Sequence, residues 1–211
     1  MRLNKKLLAA SKLYLILDTQ VLDGGVLLRV LKDSVRAGID IVQLRDKRSR
    51  PKEILAFCRK ILAITKHQIP FIMNDRADLA VIAGADGLHI GQDDLDYQSA
   101  RKMMGPGKII GVSCQNFEHA LKAQADGADY IGFGSVFETK TKPERRPMDL
   151  DLLQKVVQQL KVPVFPIGGI SRGNIGQLIP LGVTRAAVCR DILLAKDVRK
   201  AVGELKFYLR G

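Results

Sequence analysis

Several groups of polar residues carry spacings that suit anion and metal chemistry. Gln43, Arg45 and Lys47 stand at alternate positions, so an extended strand would put all three on one face, a row of donors fit for a phosphate or diphosphate. The plainer alternative is a solvated strand end. Asn74-Asp75 and Asp94 supply hard oxygen ligands, and two carboxylates with several waters satisfy magnesium when a diphosphate holds most of the ion. Either aspartate taken alone serves equally as a helix cap. His89 has no second His or Cys nearby, so a structural hydrogen bond suits it better than metal ligation. Farther along, Ser113, the Thr139-x-Thr141-Lys142 run and the Gly168-Gly169 pair add hydroxyls, a cation and a backbone able to approach an anion. Cys189-Arg190 closes the series. A glycine pair by itself marks only a turn, and a lysine-rich run is commonly solvated surface.

The surrounding elements give these residues a common address. Short apolar, β-branched runs alternate with segments of helical period along the chain, the mark of βα units on a parallel sheet. Strands are predicted over 13–17, 39–44, 70–73, 87–90, 108–112, 130–133, 162–167 and 184–189, with amphipathic helices over 51–66, 117–126, 150–160 and 192–209. Eight strands is the number that closes a barrel. The expected architecture is therefore α/β: a single-domain (β/α)8 TIM barrel over residues 13–211, preceded by a short basic N-terminal arm, residues 1–12. An open parallel sheet of the same units is the alternative, because periodicity does not show closure. In a barrel, residues that follow the strands share one mouth, and the loops after strands seven and eight commonly hold a phosphate. The polar groups all follow predicted strands, which implies two anion sites in that mouth.

The 211 residues, 46% hydrophobic and 27% charged, make a globular core and exclude a disordered chain or a small disulfide scaffold. Lys and Arg total 34 against 22 Asp and Glu, a net charge of +12 that favours an anionic partner. Nucleic acid is a poor candidate, since there is no Trp, aromatics are 5%, and the basic residues are scattered. No apolar run reaches the roughly 18 residues of a membrane span, and Lys12 and Asp18 interrupt the apolar stretch that superficially resembles a signal peptide. Three widely spaced cysteines without a Cys-x-x-Cys pair point to a reducing cytoplasm.

Together, Gln43-x-Arg45-x-Lys47, Asn74-Asp75, Gly91-Gln92-x-Asp94, Ser113, Thr139-x-Thr141-Lys142 and Ile167-Gly168-Gly169-Ile170 resemble the thiamine-phosphate synthase family over nearly the whole chain. The resemblance implies a barrel transferase that joins hydroxymethylpyrimidine diphosphate to hydroxyethylthiazole phosphate and releases diphosphate, with Mg2+ as cofactor. It implies that Arg45, Lys47, Asn74 and Lys142 contact the diphosphate, and that Asp75 and Asp94 hold the metal. Gln43, Ser113 and Thr139 would seat the pyrimidine and the leaving group. Thr139, Thr141, Gly169 and the backbone around Cys189 and Arg190 would surround the thiazole phosphate. Arg45, Lys47, Ser113 and Lys142 form the expected catalytic set. This chain departs from the family pattern at Glu138, where Pro is usual, near Gln115, where a His is usual, and at Arg190, where Ser is usual. Two alternatives remain: a thiazole tautomerase of the same fold, against which the Gln43-to-Lys47 row, Asp75 and Asp94 argue, and a non-catalytic barrel that binds a phosphate ligand.

Overall fold

The computed structural model describes residues 3–141 and 146–210. Its strands are β1 (Leu13–Asp18), β2 (Ile41–Arg45), β3 (Phe71–Asn74), β4 (Gly87–Ile90), β5 (Ile109–Cys114), β6 (Tyr130–Phe133), β7 (Val164–Pro166) and β8 (Ala186–Val188). Neighbours pair in parallel in the order β7-β6-β5-β4-β3-β2-β1-β8. A further parallel bridge between Ile167 and Ala187 joins the two ends, so the sheet curls into a nearly closed barrel. Every strand expected from the apolar runs is present.

The helices are α1 (Leu3–Ala10), α2 (Gly24–Arg36), α3 (Pro51–Thr65), α4 (Ala77–Ala83), α5 (Tyr97–Met104), α6 (Phe117–Asp126), α7 (Leu150–Gln159), α8 (Arg190–Leu193) and α9 (Val198–Tyr208). They correct the sequence reading at two points. The single helix expected over 192–209 is divided into α8 and α9, because Asp197 turns the chain and caps α9 by accepting from the Lys200 N–H at 3.0 Å. Within the segment expected as a basic arm, Leu3–Ala10 is folded as α1. Its Leu8 is buried among the residues inside the barrel, Lys5 pairs with Asp129 at 2.5 Å, and Arg185 donates to the carbonyls of Ala9 and Ser11 at 2.8 and 3.1 Å. Asp129 and Arg185 precede β6 and β8, so α1 plugs the end of the barrel opposite the mouth. Between β7 and β8 the chain makes a 3-10 helix, Ile175–Leu181, in which Pro180 withholds the N–H that an α ladder would use.

β1 shows how the core is divided. All six of its residues are buried. Leu13, Leu15 and Leu17 pack outward against the helices, while Tyr14 and Ile16 point inward with Ile41, Ile72, Ile109, Tyr130 and Phe165. A strand covered on both faces reads as a continuous apolar run, which explains why the strands stand out in the sequence. Among the described residues no helix is long and apolar enough to cross a membrane.

Candidate active site

A cavity of about 380 Å³ opens at the carboxyl ends of the strands, a size suited to small organic ligands. Alternation along β2 carries Ile41 into the barrel interior and Gln43 and Arg45 into the cavity above it. Asn74, Ser113, Thr139, Thr141, Gly169, Cys189 and Arg190 also line it. These nine expected site residues thus meet in one space, with His89, Glu138 and Gly168 also in its wall. Lys142 lies outside the described residues.

Lys47, Asp75 and Asp94 form a second group beside the first. β2 ends at Arg45, and Asp46 bends the chain by accepting from the N–H groups of Arg48 and Ser49 at 3.1 and 2.9 Å. The alternation therefore stops before Lys47, whose ammonium pairs with Asp75 Oδ2 at 2.8 Å. Asp75 follows Asn74 with φ at +60°, a left-handed conformation that is costly for a residue with a Cβ. Its N–H donates to the His89 carbonyl at 2.8 Å, tying the end of β3 to the end of β4. Asp94 closes the turn after β4 by accepting from the Gly91 N–H at 2.7 Å. Burial, and then the facing Asp75 carboxylate, push the Asp94 carboxyl above its usual range. Two like charges held together in this way fit a divalent cation. Among the described residues no group of three or more His, Cys, Asp or Glu is arranged to hold a metal, so a cation here would complete its shell with water and ligand oxygens, as magnesium does.

Beneath the cavity runs a chain of hydrogen bonds that sequence reasoning missed, except for the structural role assigned to His89. Gln43 Nε2 donates to the Tyr14 hydroxyl at 2.9 Å, Tyr14 and Tyr130 hydroxyls meet at 2.8 Å, and His89 Nδ1 lies 2.9 Å from Tyr130. His89 Nε2 then reaches Ser113 Oγ at 2.8 Å. For each hydroxyl to donate once, Tyr14 must donate to Tyr130, Tyr130 to Nδ1, and the Nε2–H to Ser113, which leaves the Ser113 proton for the cavity. Burial raises the pKa of both tyrosines, so they remain neutral links. The Tyr130 ring occupies this position because β5 carries Gly111 beneath it; a Cβ there would stand 2.0 Å from the ring. The available signal was two tyrosines at inward-facing strand positions, since a buried hydroxyl needs a partner.

The opposite wall joins the loops after β6, β7 and β8. Val136 and Phe137 N–H donate to the carbonyls of Ile167 and Gly168 at 2.9 and 3.0 Å, zipping the first two loops together. Gly169 has φ at +65°, and a Cβ on it would meet the Glu138 carbonyl at 2.3 Å, so no larger residue fits. Asn174 braces this turn from both sides, accepting from Ser171 N–H at 2.8 Å and donating to Gly169 O at 2.9 Å. Thr141 Oγ1 is buried at the cavity wall, with the Cys189 thiol beside it and no nitrogen or oxygen partner among the described residues. Asp191 is engaged by Arg172 at 3.0 Å, so it does not hold Arg190. The Arg190 guanidinium has no ion-pair partner among the described residues, Glu138 included, and stays available to an anion in the cavity. The Cys189 thiol, pushed up to about 12 by burial and by Asp18, stays protonated and is no nucleophile.

The thiamine monophosphate synthase family model matches residues 13–192. The thiamine-phosphate synthase of Clostridium tetani is 41% identical over 194 residues, 92% of this chain and 93% of that protein. That of Clostridioides difficile is 40% identical over 192 residues, covering 90% and 91%. Among solved structures, thiamine phosphate pyrophosphorylase from Pyrococcus furiosus superposes with a TM-score of 0.85 at 32% identity, covering 97% of this chain and 96% of its own.

Proposed function

This chain belongs to the thiamine monophosphate synthase family, and we propose how its residues divide the work of a thiamine-phosphate synthase. It is a transferase that joins a pyrimidine diphosphate to a thiazole phosphate and releases diphosphate. The C–O bond between the pyrimidine methylene and the diphosphate breaks first, and the ring's amino group stabilises the methylene cation. The thiazole nitrogen then forms the new C–N bond. With no strong base required, the protein's task is to stabilise the leaving group and to align the nucleophile.

Arg45 and Asn74 meet the diphosphate on one side of the cavity, with Lys47 as a further cation beside it; the family resemblance adds Lys142 to this set. A single charge contact is too weak to carry this step. At 4 Å and an effective dielectric of 20 it amounts to about 4 kcal/mol before desolvation. Asp75 and Asp94 would hold magnesium, which adds positive charge at the diphosphate when bound. Gln43 and Ser113, oriented by the tyrosine and histidine chain, present donors to the pyrimidine, and Thr139 borders both substrates. Gly169, Thr141 and Arg190, with the backbone at Cys189, receive the thiazole phosphate. The barrel, with α1 closing its base, acts as one catalytic domain on two small-molecule substrates, without nucleic acid or membrane, and the free thiols Cys58, Cys114 and Cys189 suit a reducing cytoplasm.

The observation that carries this reading is the meeting of Arg45 with Arg190 and Gly169 in one cavity, beside the paired Asp75 and Asp94 carboxylates. The test mixes both substrates with magnesium and follows thiamine phosphate and diphosphate by chromatography. Both products should form together, and neither should form when one substrate is withheld. Conversion of a thiazole isomer without diphosphate release would indicate a tautomerase, and binding without turnover a non-catalytic barrel.

A further inference from the structure

Arg45 is gripped by one of its three nitrogens. Nη1 donates to Asp18 Oδ2 at 2.8 Å and to Gln20 Oε1 at 2.7 Å, which uses both of its protons. Nη2 and Nε have no partner among the described residues, although the side chain is only 11% exposed. Asp18 is the last residue of β1 and stands opposite Arg45 in the sheet register. It is fully buried, and its second oxygen accepts from the Gln20 N–H at 2.9 Å. Arg45 in turn accepts a hydrogen bond from the Thr19 N–H at 3.1 Å through its own carbonyl. The carboxylate is therefore fixed by its own turn before it meets the guanidinium.

A buried carboxylate is a poor device for stability alone, because an apolar pair at the end of two central strands would serve as well or better. Its geometry suggests another use. We propose that Asp18 is a positioning residue for the reaction: by anchoring Nη1 it turns the Nη2 and Nε edge of Arg45 toward the departing diphosphate. This rests on the reading of Arg45 as a diphosphate contact. A free arginine samples many rotamers, and anchoring removes that freedom when the protein folds instead of at each turnover. The two-pronged edge left over matches a pair of phosphate oxygens. The negative charge of Asp18 also tempers the attraction between Arg45 and diphosphate after the bond has broken. Asp18 therefore favours turnover over ground-state binding, and its loss should separate the two.

The experiment is a double-mutant cycle of Asp18→Ala, Arg45→Ala and the double variant, read by kcat and KM for each substrate and by calorimetric binding of inorganic diphosphate with magnesium. Asp18→Ala should lower kcat about 10- to 100-fold, with the thiazole-phosphate KM unchanged and diphosphate bound at least as tightly as in the parent. The double variant should be no slower than Arg45→Ala, because Asp18 acts through Arg45. Asp18→Asn keeps an acceptor for Nη1 and should recover part of the lost rate; if Asp18→Ala does not fold, the cycle is run with Asp18→Asn. Multiplying rate losses, or diphosphate binding that weakens in step with kcat, overturns the role of Asp18 and leaves that of Arg45 standing. An Arg45→Ala variant with normal turnover and normal diphosphate binding overturns both.

Discussion

Replacing Asp94 by Asn should stabilise the metal-free protein while abolishing its response to magnesium. Two unit charges 4 Å apart repel by about 1 kcal/mol in water and about 4 kcal/mol at an effective dielectric of 20. Asp94 is exposed as a residue and its carboxyl is only partly desolvated, and Lys47 offsets part of the Asp75 charge from 2.8 Å, so the net repulsion is held to about 0.5–1 kcal/mol. The asparagine oxygen still accepts from the Gly91 N–H, as Asp94 does at 2.7 Å, so little is lost with the charge. In chelator the variant should melt about 1–4 °C above the parent. Magnesium at a hundred times its dissociation constant should add about 2.7 kcal/mol to the parent, or about 5–11 °C, and nothing to Asp94→Asn, reversing the order. The pH dependence has a definite sign. Because the folded-state value of Asp94 is raised, the folded protein binds the proton more tightly than the unfolded chain does. That contribution is complete below the ordinary carboxylate range and is lost as pH rises through the raised value, so the advantage of the variant should vanish in acid. The measurement is thermal melting with and without magnesium across pH, alongside product formation. A variant that melts below the parent in chelator, or that keeps both its magnesium shift and its turnover, would refute the pairing of these carboxylates as a cation site.

Tyr130→Phe keeps the ring over Gly111 and leaves Tyr14 and His89 without their shared hydroxyl; urea titration should show a loss of about 1–3 kcal/mol, and an unchanged midpoint would break the proposed chain. Leu8→Ala should cost about 2–5 kcal/mol in the same titration, because α1 fills the barrel; a neutral result would make α1 a surface appendage. Arg190→Ser should raise the thiazole-phosphate KM several-fold and leave that of the pyrimidine diphosphate nearly unchanged; substrate titrations check it, and an unchanged or lowered thiazole-phosphate KM would remove Arg190 from the anion site.

The eight strands and their order were legible in the chain because parallel barrel strands are covered on both faces and so are written as apolar runs, a local property. The inward direction of Gln43 and Arg45 is equally local, since alternation needs only one strand to be extended. Lys47 escaped that argument because the strand stops at Arg45, and the Asp46 turn sends its ammonium to Asp75. The meeting of Asp75 with Asp94 required two neighbouring strand ends to be brought together. The Tyr14–Tyr130 contact joins residues 116 positions apart across the barrel interior, and it exists only once the sheet has closed over Gly111. Arg190 lines the cavity, and its freedom there depends on Arg172 having claimed Asp191, a pairing between loops that no spacing records. Sequence pattern carries the periodicities of single elements. Which charges end up facing one another, and therefore which are satisfied and which remain open to substrate, is decided by barrel closure.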